Sequence, residues 1–252
     1  MSEFNASQTI DKLVNALQAV FTKANKTKAV IAVSGGIDSA VSLSLLVKAI
    51  GAKNVYPIFL PYKTQDMADA QTVVEWNKIS QENITLVQIE PVVNQIAELL
   101  KITDQDQVRL GNVMARTRMI AVFDLAKKLD ALVCGTENKS EKYLGYFTRF
   151  GDGASDIEPI TNLYKTQVRA VAEALILPAV FLTKAPSAGL WSEQTDEVEL
   201  GFSYQEADLV MEQYLDQHKT IEEITGVDPE KVQQIIGRIK AMKFKQEVPY
   251  CL

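Results

Sequence analysis

The chain predicts an α/β fold, a parallel sheet flanked by helices, and three observations carry that prediction. Four short apolar runs, 29–33, 55–60, 84–89 and 131–134, are spaced along the chain before residue 135. Apolar residues at helical spacing fill the intervals between them, and the first run ends in a glycine-rich turn that opens a helix. Unbroken apolar runs of this length suit strands covered on both faces. Strands alternating with helices close into such a sheet by right-handed crossovers, which places ligands beyond the carboxyl ends of the strands.

The elements follow in order. Residues 4–21 place Ile10, Leu13, Val14, Leu17, Val20 and Phe21 on one helical stripe. The strand at 29–33 precedes a helix at 39–50, the strand at 55–60 a helix at 66–80, and the strand at 84–89 helices at 92–100 and 112–129. Beyond the fourth strand, residues 136–161 are polar, aromatic and glycine-rich without a period. A connection of that length is more often functional than idle, so it should border the active site. Helical patterns return at 165–175, 204–217 and 229–243, with an irregular stretch at 184–199. No repeat, low-complexity tract or linker divides the chain, so residues 1–252 read as one domain.

Composition limits the function classes. With 252 residues, 47% hydrophobic and 23% charged, the chain can bury a full core and is neither fibrous nor disordered. No apolar run approaches the roughly 20 residues of a membrane helix, and no basic stretch leads into an apolar one at the start, so a soluble cytoplasmic protein is expected. Cys134 and Cys251 are too few for a disulfide framework or a thiolate metal cage and read as free thiols. With 26 basic against 32 acidic residues, a formal charge of -6 offers no field for nucleic acid or an anionic membrane. A polyanionic ligand therefore needs a locally built cationic pocket. The one histidine, His218, sits among Gln217, Lys219 and Thr220 and reads as exposed rather than catalytic.

The most informative hexapeptide is Ser34-Gly35-Gly36-Ile37-Asp38-Ser39, between the first strand and its helix. Two glycines permit a tight turn and close approach of backbone amides, and the helix start adds unpaired N–H donors with a partial positive charge. The turn lacks the Gly-Lys-Ser/Thr ending of the common nucleotide loop and lacks G-x-G-x-x-G, which argues against γ-phosphate transfer and a dinucleotide Rossmann site. It resembles the pyrophosphate loop of the N-type ATP pyrophosphatases, which cleave ATP between the α and β phosphates.

Later motifs narrow the resemblance. Gly111-Asn112-x-x-Ala115-Arg116-x-Arg118, Gly135-Thr136-Glu137-Asn138-x-x-Glu141 and Gly145-Tyr146-Phe147-Thr148-Arg149-Phe150-Gly151-Asp152-Gly153 follow in order. Asp156, Pro159, Lys165, the run from Ala185 to Trp191 and Gln194-Thr195-Asp196-Glu197 complete the series. Together they resemble the ammonia-dependent NAD synthetases over most of residues 30–205. The resemblance implies a three-layer Rossmann-like fold of the adenine nucleotide alpha-hydrolase type. It implies a Mg²⁺-requiring ligase that turns ATP, deamido-NAD and ammonia into AMP, pyrophosphate and NAD through an adenylate, in the last step of NAD biosynthesis. It also implies a homodimer with deamido-NAD at or near the interface. The apolar first helix and the helix at 112–129 are its candidate contact faces.

The same resemblance assigns roles to positions. Ser34, Gly35, Gly36 and Ser39 would hold the departing pyrophosphate; Asp38 and Glu141 would hold Mg²⁺; Thr136, Lys165 and Ser187 would contact ATP. Arg116, Arg149, Asp156 and Lys245 would bind deamido-NAD; Arg116 and Arg118, two apart on a helix, face differently, so one is expected to be structural, and Arg116 is taken as the ligand. Asp152 is expected either to take a proton from ammonium or to order its loop. The family usually has threonine where Ser187 stands, and commonly His-Lys-Arg where this chain reads Phe244-Lys245-Gln246, which puts that end of the dinucleotide pocket in question. From the length of the chain, no glutaminase domain is expected. Two other readings remain open: another adenylating ligase of the superfamily, and a nucleotide-binding regulatory module without turnover. Segments at 61–69 and 185–199 are expected to order with substrates.

Overall fold

A computed structural model describes residues 4–103, 105–185 and 195–247. Four parallel strands form its sheet: β1 (Ala29–Ala32), β2 (Val55–Phe59), β3 (Thr85–Leu86) and β4 (Leu132–Cys134), in the order β3-β2-β1-β4. The chain adds strands on one side of β1 and then crosses to the other, so the carboxyl end of β1 is the point where the strand order reverses. Alternate β1 residues serve opposite faces. Ala29 and Ile31 join the core beneath α1 (Ala6–Ala24), α2 (Ile37–Ile50) and α7 (Lys165–Ala174). Val30 joins the core beneath α4 (Glu90–Leu99) and α5 (Gln107–Leu129). This is the three-layer arrangement the sequence predicts.

A third core lies beyond the sheet, where α6 (Lys139–Leu144), α9 (Asp196–Leu200), α10 (Tyr204–Met211) and α11 (Pro229–Met242) enclose Leu144, Tyr204, Met211 and Ile235. Two further helices complete the order: α3 (Ala68–Trp76) after β2 and α8 (Ala179–Thr183) after α7. No helix among the described residues is long and apolar enough to cross a membrane.

Several boundaries differ from the sequence reading. The run 84–89 forms only a two-residue edge strand, because β2 stops at Phe59 and leaves Val87 and Ile89 to bond irregularly to the carbonyls of Phe59 and Pro61. The helix expected at 66–80 is α3, shortened because the Asp66 side chain accepts the Ala68 amide at its start and Lys78 takes a positive φ of 56° after its end. The helix expected at 204–217 changes to a π-helical turn at Glu212–Asp216. Helices α6, α8 and α9 were not expected, and α6 and α9 fall in stretches read as irregular. The α6 start was readable, since Asn138 and Glu141 form a reciprocal capping box. The apolar stripe of α1 is not an open contact face: Ile10, Leu17 and Phe21 are buried in the protomer's own core.

Candidate active site

The turn after β1 is shaped by two local constraints. Gly35 has φ of +80°, and a Cβ there would lie 2.9 Å from Cβ of Asp69, so no larger side chain fits. Gly36 caps α2 without a side-chain acceptor, which leaves the first amides of that helix available to an anion. Ser34 Oγ accepts the Gly36 amide at 3.2 Å and lies 3.3 Å from Ser39 Oγ, while Ser39 Oγ donates to the Gly36 carbonyl at 2.9 Å. Both hydroxyls therefore line the cradle in fixed positions.

Behind the cradle stands a buried cation. Lys165, the first residue of α7, is 2% exposed, and its ammonium donates to Asp38 Oδ2 at 2.5 Å and to Glu141 Oε1 at 3.0 Å. Asp38 Oδ1 also accepts from Asn138 Nδ2 at 2.9 Å. Burial alone would depress the lysine's affinity for its proton, but the charges of Asp38 and Glu141 outweigh it and hold the ammonium firmly charged. Burial, with the Asp38 charge beside it, pushes Glu141 above the usual carboxylate range. Asp38 and Glu141 thus present two hard oxygen donors beside an anion cradle. That donor set fits Mg²⁺, which protein sites usually hold through one or two carboxylates with substrate phosphates and water completing the shell. Among the described residues no group of three or more His, Cys, Asp or Glu side chains gathers as a metal cluster.

Ser140 and Asp208, which the sequence reading did not single out, hold this triad in place. Asp208 of α10 accepts from Ser140 Oγ at 2.5 Å and from the Thr166 amide at 2.8 Å, and Ser140 Oγ accepts the Lys165 amide at 2.9 Å. One buried carboxylate therefore joins the starts of α6 and α7, the elements that carry Glu141 and Lys165. Asp196, 3% exposed, accepts from Tyr204 Oη at 3.0 Å, and its Oδ1 has no hydrogen-bond partner among the described residues. Nothing local in the sequence marks Asp208; only the third core brings it here.

The cradle and the triad open into one cavity of about 670 Å³, which Thr136, Arg118, Asp152 and Lys245 also line. Asp152 Oδ1 accepts the Thr148 amide at 2.9 Å, so it orders its loop while facing the cavity, and burial raises its pKa. Of the two arginines on α5, Arg118 reaches the cavity wall and donates to the Leu60 carbonyl and to Gln65 Oε1, whereas Arg116 is exposed and lies outside the cavity lining. Asp156 also lies outside that lining and accepts the Val133 amide at 2.8 Å. Arg149 sits over the rings of Phe150 and Phe244 and lines an adjoining pocket of about 290 Å³. Ser187 lies outside the described residues. So does all of the expected segment 185–199 between 186 and 194, whereas 61–69 is held by the Gln65 and Asp66 hydrogen bonds.

Comparison with known proteins identifies the family. The NAD synthase family model matches residues 9–249. The NH(3)-dependent NAD(+) synthetase of Fusobacterium nucleatum is 40% identical over 98% of this chain and 96% of its own length. That of Thermococcus kodakarensis is 42% identical over 87% of each. Among solved structures, NMN synthetase from Francisella tularensis superposes with a TM-score of 0.85 at 34% identity over 99% of both chains. NH3-dependent NAD synthetase from Campylobacter jejuni gives 0.82 at 25% identity over 99% of this chain and 100% of its own. An uncapped helix start facing a buried Lys–Asp–Glu triad, on a chain matched almost end to end, places this protein in the NAD synthase family.

Proposed function

We propose that the protein catalyses ATP-dependent amidation of deamido-NAD with ammonia, giving NAD, AMP and pyrophosphate. The observation that carries this reading is the triad: Lys165 joins Asp38 of the phosphate turn to Glu141 beyond β4, at the open start of α2. A carboxylate is a poor acylating agent, because oxide is a bad leaving group. Adenylation removes that obstacle. A nicotinate oxygen bonds to the α-phosphorus while the α–β bridging bond breaks, and pyrophosphate departs onto the amides around Gly36 and the Ser34 and Ser39 hydroxyls. Ammonia then bonds to the acyl carbon, the carbon–oxygen bond breaks, AMP leaves, and the surplus proton passes to a base facing the cavity. Asp152 is our candidate for that base.

Lys165 holds its positive charge against the phosphates without needing to reorganise, because two carboxylates and the Ser140–Asp208 network fix it. Asp38 and Glu141 would hold Mg²⁺, which supplies charge neutralisation on the departing phosphates. Thr136 at the end of β4 suits an ATP contact, with Ser187 assigned the same role. Arg116, Arg149, Asp156 and Lys245 stand as acceptor-binding residues, and the exposure of Arg116 on α5 suits a ligand shared across a homodimer. A dimer face fits the α4–α5 side, where Leu99 is 80%, Val108 65% and Ile120 60% exposed. A cytoplasmic location and a single catalytic unit fed by free ammonia complete the reading. Relatives named NH(3)-dependent that align over nearly their whole length support the nitrogen source.

The test supplies ATP, Mg²⁺, ammonium and deamido-NAD and follows the products. Acceptor-dependent AMP and pyrophosphate, abolished by Asp38→Ala, are expected. ADP, or pyrophosphate without acceptor, would overturn the reading, and preference for glutamine over ammonium would overturn the nitrogen source. A second acceptor is favoured by one observation, the 34% identity and full-length match to an NMN synthetase: nicotinate mononucleotide fits the same chemistry, since its reacting carboxylate is the same.

A further inference from the structure

The cationic side chains that line the main cavity are not equivalent. Lys165 is matched by Asp38 and Glu141, and Lys184 by Asp69. Arg238 and Lys245 are seated on the carbonyls of Leu144, Gly145 and Phe147, at the far end of α6. Arg118 lies elsewhere, at the carboxyl end of β2, where its Nε donates to the Leu60 carbonyl at 3.0 Å and its Nη2 to Gln65 Oε1 at 3.1 Å. Both acceptors are neutral, and Nη1 has no acceptor among the described residues. Burial lowers the arginine's pKa from its ordinary value, with the Asp152 charge working the other way, yet a guanidinium keeps its charge in a protein. A desolvated cation on neutral acceptors favours an anionic guest.

The packing of α5 brings Asp152 to the same stretch of wall. A Cβ at Gly151 would stand 2.9 Å from Cβ of Ala115, so the glycine backbone lies directly on the turn of α5 that precedes Arg118. Thr148 Oγ1 donates to Asn112 Oδ1 at 2.8 Å one turn earlier. The loop carrying Asp152 is thereby fastened along α5 just ahead of Arg118. The two side chains line one cavity and feel each other's charge, with no hydrogen bond between them among the described residues. An acyl carbon within reach of the base Asp152 has its oxygens beside this guanidinium. The phosphates of ATP have other hosts, the cradle after β1 and Lys165.

We infer that Arg118 is a catalytic residue in both half-reactions, holding one oxygen of the acceptor carboxylate from adenylation through to amide formation. The inference rests on the amidation reading above and adds a residue to that site. In the first half, the other carboxylate oxygen bonds to the α-phosphorus as the α–β bridging bond breaks, and the oxygen on Arg118 becomes the acyl carbonyl oxygen. In the second, the lone pair of ammonia bonds to the acyl carbon and the carbonyl pair moves onto that same oxygen, where the guanidinium meets the developing charge. The pair then returns, the bond from carbon to the bridging oxygen breaks, AMP leaves, and the surplus proton passes to Asp152. A planar donor fork suits both stages, and the Leu60 and Gln65 contacts fix it beforehand.

The experiment compares wild type, Arg118→Met and Arg118→Lys. Steady-state NAD formation from ATP, Mg²⁺, ammonium and deamido-NAD gives kcat and each KM. Acceptor-dependent exchange of labelled pyrophosphate into ATP, without ammonium, reports the first half alone. Arg118→Met should lower kcat by about 10²–10³ and exchange by at least about tenfold, with the ATP KM within about threefold of wild type. Arg118→Lys keeps the charge without the fork and should recover no more than about tenfold of that loss. Melting temperatures should stay within about 3 °C of wild type, because the cation removed has no carboxylate partner to strand. A kcat per folded molecule within threefold of wild type in either variant would overturn the inference, as would exchange at the wild-type rate. A raised ATP KM with kcat retained would also overturn it, by moving the arginine to the nucleotide. Each of these results leaves the amidation reading standing, whereas a wild type that forms no NAD overturns both.

Discussion

Replacing Lys165 by methionine removes one charge and keeps most of the side-chain volume. In the wild type the ammonium lies 2.5 Å from Asp38 and 3.0 Å from Glu141, with side-chain exposures of 3% for the lysine and 16% for each carboxylate. Breaking a buried ion pair by removing one partner costs about 3–5 kcal/mol, because a charge is left uncompensated. Two features here reduce that cost. The carboxylates keep some contact with the cavity, and Glu141, already pushed up by burial, can take a proton instead of standing bare. A loss of about 3 kcal/mol at pH 8 follows, which for a chain near 250 residues lowers the melting temperature by roughly 6–12 °C. The sign with pH is fixed by the raised Glu141: as pH falls its proton returns, so the deficit against wild type narrows between pH 8 and pH 6. Activity falls further, since one preorganised donor to a developing charge is worth about 10²–10³ in rate. Differential scanning fluorimetry at the two pH values and a pyrophosphate-release assay measure both effects. Melting within 2 °C of wild type at pH 8, a deficit that widens on acidification, or pyrophosphate release within threefold of wild type would refute the reasoning.

Four other substitutions probe separate parts of the site. Gly135→Ala places a Cβ 1.9 Å from Glu158 Oε1 and should displace the carboxylate that accepts the Glu137 amide and the Ser155 hydroxyl, lowering stability by about 1–3 kcal/mol in urea titration. Glu137, with a pKa raised from 4.5 to about 8, binds its proton more tightly when folded, so wild-type stability should fall as pH rises from about 4.5 towards 8. Glu137→Gln should make that slope shallower, the remainder coming from Glu158 at about 7, and an unaltered slope would count against the assignment. Asp208→Asn can no longer accept from both Ser140 and Thr166, so kcat should drop about tenfold with little change in the acceptor KM; a change in KM alone would exclude a positioning role. Lys245→Ala frees the Gly145 and Phe147 carbonyls and should raise the acceptor KM, whereas an unmoved KM would remove this lysine from the acceptor site.

What the sequence revealed, and what it concealed, follows from how far apart the interacting residues lie. The phosphate turn is local: two glycines between an apolar run and a helical pattern specify both the conformation and the uncapped helix start, and the structure adds only the crowding at Asp69. The strands and most helices are similarly local, and boundaries fail where tertiary packing intervenes, as at the short edge strand β3. The triad is different in kind. Asp38 and Lys165 are 127 residues apart and Asp38 and Asn138 are 100 apart. No periodicity links them, so the sequence supplied them only through resemblance to a family whose order of motifs this chain repeats. Asp208 escaped because a lone acidic residue in an amphipathic helix has an ordinary solvated reading. Only the seating of α10 against the starts of α6 and α7 converts it into the acceptor that fixes Lys165. The two arginines of α5 show the same limit at short range. Their spacing establishes that they face differently, and the fold decides which one meets the cavity: Arg118 turns inward because Leu60 and Gln65 offer it acceptors beside β2, and Arg116 turns outward. A role for Arg116 in acceptor binding therefore requires a surface from beyond the protomer, which makes the oligomeric state and the acceptor affinity a single question: if the proposed homodimer forms, diluting the protein until it dissociates should raise the acceptor KM, and an unmoved KM would remove Arg116 from the acceptor site.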